Sequence, residues 1–155
     1  MENFVWKIKT FDELSTRELY NILKSRIDVF VVEQNCPYAE VDGFDPEGIH
    51  LWAEHHGEIV AYCRIFPPQI KYLESSIGRV LTNQKYRKMN LGKTLMKFAI
   101  GSIEARFRAH TIRISAQDYL LPFYTGLGFA ATGKSYLEDD IPHSEMLRSH
   151  RSISD

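Results

Sequence analysis

The chain has 155 residues, 44% of them hydrophobic and 25% charged, with a formal net charge of −1 at pH 7. That length suits a single domain, read here as residues 1–155, and the near-neutral charge argues against broad nucleic-acid binding, which usually needs a basic face. Two cysteines, Cys36 and Cys63, are too few for a disulfide framework and share no metal-ligand spacing, so free thiols, a reducing cytosol and no metal are expected.

The N-terminal MENFVWKIKTF lacks the basic-then-apolar order of a secretion signal. No apolar run approaches the ~20 residues that span a bilayer, so the expectation is a cytoplasmic protein without membrane association. Phe4 to Ile8 alternates apolar and polar residues, the period of a half-buried strand. Ser15 to Glu18 reads STRE, a capping box, and Leu19, Ile22, Leu23, Ile27 and Phe30 recur at helical spacing, predicting an amphipathic helix to about Phe30. Arg26 interrupts that stripe, which predicts an inward-facing cation paired with a carboxylate such as Asp42 or Asp45. Glu33 to Gly48 is loop-like and acidic. Ile49 to Phe66 reads as a hairpin turning at Gly57-Glu58 and ending at Pro67-Pro68, with Trp6 and Trp52 both expected in the core.

Ile77 to Thr82 predicts a short strand. Tyr86 to Met96, YRKMNLGKTLM, then leads into a helical stripe of Leu95, Met96, Ala99, Ile100, Ile103 and Phe107. Thr111 to Ala116 alternates as a strand. LPFYTGLGF predicts a short helix with Pro122 in its first turn and Gly128 near its end. Two more strands are predicted at Phe129 to Thr132 and Ser144 to Arg148. Strands alternating with helices give an α/β fold, a mixed central sheet of about six to seven strands flanked by helices.

The strand–loop–helix at Ile77 to Met96 aims unpaired helix N–H groups at a ligand, and phosphate binds such an end readily. Arg87, Lys88 and Lys93 add positive charge, and Gly92 lets a ligand come close to the backbone. The stretch is neither a Walker A loop nor G-x-G-x-x-G, and a basic helix start without any ligand is the plain alternative.

RKMNLG, Arg87 to Gly92, resembles the Q/R-x-x-G-x-G/A signature of the GNAT N-acetyltransferases, with Asn90 in place of the middle glycine. Asn tolerates the left-handed backbone that this position needs. IGRVLT precedes the signature as the family's fourth strand does, and FYTGLGF resembles its F-Y-x-x-x-G-F. FDELSTRELYNILKSRIDVFVVEQNCPYAEVDGFDPEGIHLW, ISAQDYLLPFYTGLGF and YLEDDIPHSEM are similar to the ElaA-type subgroup across nearly the whole chain.

The resemblance implies the acyl-CoA N-acyltransferase fold and acetyl-coenzyme A as co-substrate. Coenzyme contacts then fall to Val80, Leu81 and Thr82, to Arg87, Lys88, Met89, Asn90, Leu91, Gly92 and Lys93, and to Gln117 and Tyr124. It also implies Tyr124 as the general acid in direct attack of a primary amine on the thioester. A homodimer is expected on the same analogy.

The general base is open, because Ile112 stands where some family members place a glutamate. Candidates are Glu33, Glu40, Asp42, Asp45, His50, His55, His56 and His143, or a water relay. His143 is favoured because it sits beside three carboxylates that would raise its basicity. Arg26, Glu33 and Asp42 are candidate acceptor-binding residues, and the acidic segments 40–47 and 138–140 suit a cationic small-molecule or peptide amine. Two other readings stand beside this one. The first is an acyl-coenzyme A sensor without catalysis. The second is acyl transfer like that of acyl-homoserine lactone synthases, which Arg26, Phe30, Glu33, Asp42 and Asp45 resemble in spacing.

Overall fold

In the computed structural model, which describes residues 3–108 and 111–149, the alternating N-terminal stretch forms strand β1, Val5–Thr10. Ser15 caps helix α1, Thr16–Arg26: its hydroxyl accepts the Glu18 N–H at 3.0 Å, and the Glu18 carboxylate accepts the Ser15 N–H at 2.8 Å. The capping box of the sequence is therefore formed. The helix does not stop at Phe30 but continues in wider turns over Ile27–Glu33. There the N–H groups of Gln34 and Cys36 reach back five residues, to Val29 and Val31. The widening rotates the apolar face, so Ile27, expected in the stripe, is 39% exposed while Arg26, Val29 and Phe30 turn inward.

Strands β2 (Ile49–His55) and β3 (Glu58–Phe66) form the expected hairpin, and β4 follows at Ser75–Thr82. Helix α2 is Leu91–Phe107, β5 is Thr111–Gln117 and α3 is Leu121–Thr125. The last two strands are longer than the sequence predicted: β6 is Ala130–Glu138 and β7 is Ile141–Ser149. Asp139 and Asp140 both take the left-handed backbone (φ 48° and 64°), the two-residue turn whose twist matches a hairpin. EDDIPH is therefore a turn between paired strands rather than part of a loop.

One seven-stranded mixed sheet results, in the order β1-β2-β3-β4-β5-β7-β6. Side chains along β3 alternate. Ala61, Cys63 and Ile65 meet Leu95, Met96, Ala99 and Ile103 of α2 on one face, while Tyr62 meets Ile22, Phe30 and Trp52 under α1 on the other. Trp52 is fully buried, whereas Trp6 is half-buried and packs edge-on against Phe98 of α2 at 5.0 Å. Among the described residues no helix is long and apolar enough to cross a membrane.

One irregularity sets up the site. Between the pairs Tyr62–Leu81 and Arg64–Gly78, β4 carries one residue more than β3, a bulge at Arg79 and Val80. Arg79 sits there at φ 51°, a backbone that a non-glycine residue adopts at a cost of about 1–3 kcal/mol. The parallel pairing of β4 with β5 is confined to Ser75–Ile112 and Ser76–Arg113, and beyond these the two strands part. Main-chain groups in the gap are left without a strand partner across it, so the opening is polar as well as extended.

Candidate active site

The gap between β4 and β5 opens into a cavity of about 400 Å³, within the range of small-molecule sites. Gly78, Arg79 and Val80 form one wall, and Ile114, Ser115 and Gln117 the other. Phe30, Gln34, Cys36 and Tyr38 close it from the end of α1, Tyr124 from α3, and Glu138, Asp139 and His143 from the β6–β7 hairpin. The Cys36 sulfur lies 3.7 Å from the Asp139 carbonyl, joining the segment after α1 to that hairpin.

Of the residues singled out from the sequence, Val80, Gln117, Tyr124, His143 and Asp42 line this cavity. Tyr124 is 6% exposed, and among the described residues nothing hydrogen bonds its hydroxyl. Burial pushes its phenol pKa up, so the proton stays on oxygen at neutral pH. His143 lies opposite Gln117 on β5 and opposite Tyr136 on β6, with its ring stacked on that tyrosine. Its Nδ1–H donates to the Ile141 carbonyl at 2.7 Å, which leaves Nε2 as the proton-accepting nitrogen, 3.3 Å from the Glu138 carboxylate.

Other candidates are placed elsewhere. Glu33 does not line the cavity; it pairs with Arg87 at 2.7 Å. Arg87 also donates to the Thr82 carbonyl from Nε and Nη2, at 3.2 and 3.0 Å, and so ties the end of β4 to the start of α2. Leu81 does not line the cavity; it turns its side chain into the core under α1 and pairs with Tyr62 of β3. Arg26 is fully buried and donates to Glu40, to Asp45 and to the Glu40 carbonyl, so it stands behind the wall without access to the cavity. The pairing expected with Asp45 is present; Asp42 instead takes Arg64 and Arg79.

His50 is also fully buried. Its Nε2–H donates to the Asp45 carbonyl, and Nδ1 accepts from the Tyr62 hydroxyl. Burial lowers its pKa, so it is a neutral structural ring. His55 and His56 lie at the β2–β3 turn, and His55 meets the Asn3 carbonyl at 2.9 Å.

Sequence reasoning missed Arg64, Arg79, Tyr38 and Lys71. Arg64 was findable, since a cation in the otherwise apolar run IVAYCRIF must find buried anions. The other three depend on contacts between β4, the 34–48 segment and the β3–β4 loop that no short-range pattern carries.

At the start of α2, Asn90 is left-handed (φ 58°, ψ 21°), and its side chain makes no capping bond. The first helical bond runs from the Thr94 N–H to the Asn90 carbonyl. The N–H groups of Leu91, Gly92 and Lys93 precede it at the positive end of the helix dipole.

The chain matches the acetyltransferase (GNAT) domain family over residues 17–149. It belongs to the GNAT family. Protein ElaA of Escherichia coli is 36% identical over 145 residues, covering 92% of this chain and 95% of ElaA. An acyl-CoA N-acyltransferase from Pseudomonas aeruginosa superposes with a TM-score of 0.90 at 40% identity, over 95% of this chain and all of that one. The CoA-dependent acyl-homoserine lactone synthase BjaI reaches a TM-score of 0.77 at 16% identity over 96% of this chain and 84% of its own, a likeness of fold. Membership in the ElaA-type subgroup of GNAT proteins and an acyltransferase function follow. Among the described residues no cluster of His, Cys, Asp and Glu is arranged to hold a metal.

Proposed function

We propose that this GNAT protein transfers an acetyl group from acetyl-coenzyme A to a primary amine, with Tyr124 as general acid and His143 as general base. The observation that carries the reading is Tyr124, its ring buried and its hydroxyl bonded by none of the described residues, on the same cavity as the Val80 bulge. The surroundings fit the coenzyme. An extended arm has the parted edges of β4 and β5 to pair with, and a pyrophosphate has the uncapped N–H groups of Leu91, Gly92 and Lys93. When bound, acetyl-coenzyme A supplies an activated acyl carbon and a thiolate leaving group.

The protein's own groups then divide the work. The bulge at Arg79–Val80 lines the cavity, and its main-chain N–H groups are assigned as the oxyanion donors. Amine acceptors arrive protonated, and His143 Nε2 takes the proton before attack, with Glu138 stabilising the imidazolium that forms. Tyr124 delivers its proton to the departing sulfur and regains one from the nitrogen, which sheds its second proton as the amide forms. Gln117, donating to Gln34 at 3.4 Å, holds the far wall of the opening against the segment that follows α1. Two buried free thiols support a reducing, cytoplasmic setting.

The test is release of free thiol from acetyl-coenzyme A with a panel of primary amines. Amine-dependent release is expected, and His143→Gln is expected to lower kcat by about 10²-fold with little change in coenzyme affinity. Coenzyme binding without release for any amine would favour the sensor reading instead.

A further inference from the structure

Behind the acceptor end of the cavity the charges can be counted. Arg26 pairs with Glu40 and Asp45, Arg64 with Asp42 and Asp45, and Arg79 with Glu40 and Asp42. Three guanidinium groups face three carboxylates, and the cluster is neutral. Lys71, from the loop between β3 and β4, is a fourth cation added to it.

Its nearest carboxylate oxygen, Oδ2 of Asp42, is 4.0 Å away, too far for a hydrogen bond. That oxygen already accepts Arg64 Nη2 at 2.8 Å and Arg79 Nη2 at 3.3 Å, while Oδ1 accepts Arg64 Nη1 and the Phe44 N–H. The Lys71 ammonium instead lies 4.0 Å from the centre of the Phe44 ring, which satisfies charge but no N–H donor. Its side chain is 34% exposed and lines the cavity beside Gly78 and Asp42. Glu138, across the cavity, is turned to His143. The Lys71 ammonium, with Asp42 and Glu138 as neighbouring anions but no carboxylate within hydrogen-bond reach, thus faces the space where an acceptor must sit.

We propose that Lys71 marks a carboxylate subsite, so that the amine acetylated is one that carries its own carboxylate, as an amino acid does. This rests on the acetyltransferase reading above. One ammonium without a hydrogen-bonded carboxylate matches a monoanion, and the cavity of about 400 Å³ suits a small acceptor. Burial holds the Lys71 pKa below the ordinary lysine value; Asp42 and Glu138 oppose that shift, and the Arg64 and Arg79 charges add to it. A bound carboxylate reverses that penalty. The acceptor is then gripped at both ends, by Lys71 at its carboxylate and by the His143–Glu138 pair at its amine.

The test is calorimetric titration of product-like probes into the protein saturated with coenzyme A. Each probe is an N-acetylated amino acid compared with its own primary amide, identical in shape but uncharged. Wild type is expected to bind the carboxylate member at least roughly tenfold more tightly, the scale of one charge-assisted hydrogen bond. Lys71→Met is expected to bind both members alike, and Lys71→Arg to restore the preference. Equal binding by wild type, a preference that survives Lys71→Met, or binding of neither probe would overturn the proposal. The preceding titration of coenzyme A reads the acetyltransferase assignment separately: its failure would remove that reading, whereas a missing carboxylate preference would leave it standing.

Discussion

Arg26→Met is expected to lower stability by about 3–5 kcal/mol, the scale of breaking a buried ion pair from one side. Arg26 is fully buried, and all three of its nitrogens are engaged, by Glu40 and Asp45. Methionine fills similar volume, so little of the loss comes from a cavity. It comes from the Glu40 Oε1 and Asp45 Oδ1 carboxylate oxygens, which lose a cation while still out of water. Asp45 keeps Arg64 at 2.8 Å, and Glu40 keeps Arg79 at 2.6 Å, so the cluster is weakened rather than emptied.

The same cluster sets the response to acid. Burial alone would push the Asp42 and Asp45 carboxyls up, but hydrogen bonds from Arg64 to Asp42 and from Arg26 to Asp45 hold both below the ordinary aspartate value. A carboxylate depressed in the folded state contributes stability above its unfolded pKa and loses it as pH falls through the folded one. The wild-type protein is therefore expected to lose stability steadily below about pH 4, where unfolded aspartates begin to protonate. Urea midpoints at neutral and acid pH measure both effects. A loss below about 1 kcal/mol for Arg26→Met, the range of exposed pairs, would contradict the account.

Tyr124→Phe is expected to lower kcat by about 10²–10³-fold while leaving coenzyme affinity unchanged. The ring sits among apolar neighbours, edge-on to Phe123 and Phe129 at 5.1 and 6.0 Å, so phenylalanine keeps the packing and removes only the hydroxyl. Burial raises the phenol pKa, and the acid form therefore persists to higher pH than a free tyrosine would allow. The dry surroundings also raise the basicity of a leaving thiolate, which keeps donor and acceptor matched. Stopped-flow thiol release separates the chemical step from binding. A variant that retains full kcat would place the proton donor elsewhere.

Much of this architecture is written in local periodicity. The two-residue alternation of Thr111 to Ala116 and the 3.6-residue stripe of α2 survive in the structure because one face of each is buried against the sheet or helix beside it. The site is less legible where the backbone departs from a repeat. Nothing in ILKSRIDVFVVE announces wider turns after Arg26, and IGRVLT carries its bulge on arginine rather than on a glycine that would flag a positive φ. The hairpin turn at Asp139-Asp140 reads as acidic loop because charge, not backbone, dominates that text. Asn90 is the opposite case: its left-handed conformation was legible, since asparagine is one of the few residues that adopts it readily.

The most direct test of the account is calorimetric titration of acetyl-coenzyme A into wild type and Gly92→Glu. The nearest neighbours of a Cβ at Gly92 would be the Phe123 and Thr82 side chains at 3.5 and 3.7 Å, ordinary contact distances. A glutamate in the first turn of α2 complements the helix dipole and improves on glycine in helix propensity, so the fold is expected to be at least as stable. It also sets a negative charge where the pyrophosphate is proposed to bind. The account predicts measurable wild-type binding, weakened by at least about tenfold in Gly92→Glu with the unfolding midpoint held or raised. Unchanged binding in the variant, or none in wild type, would contradict it.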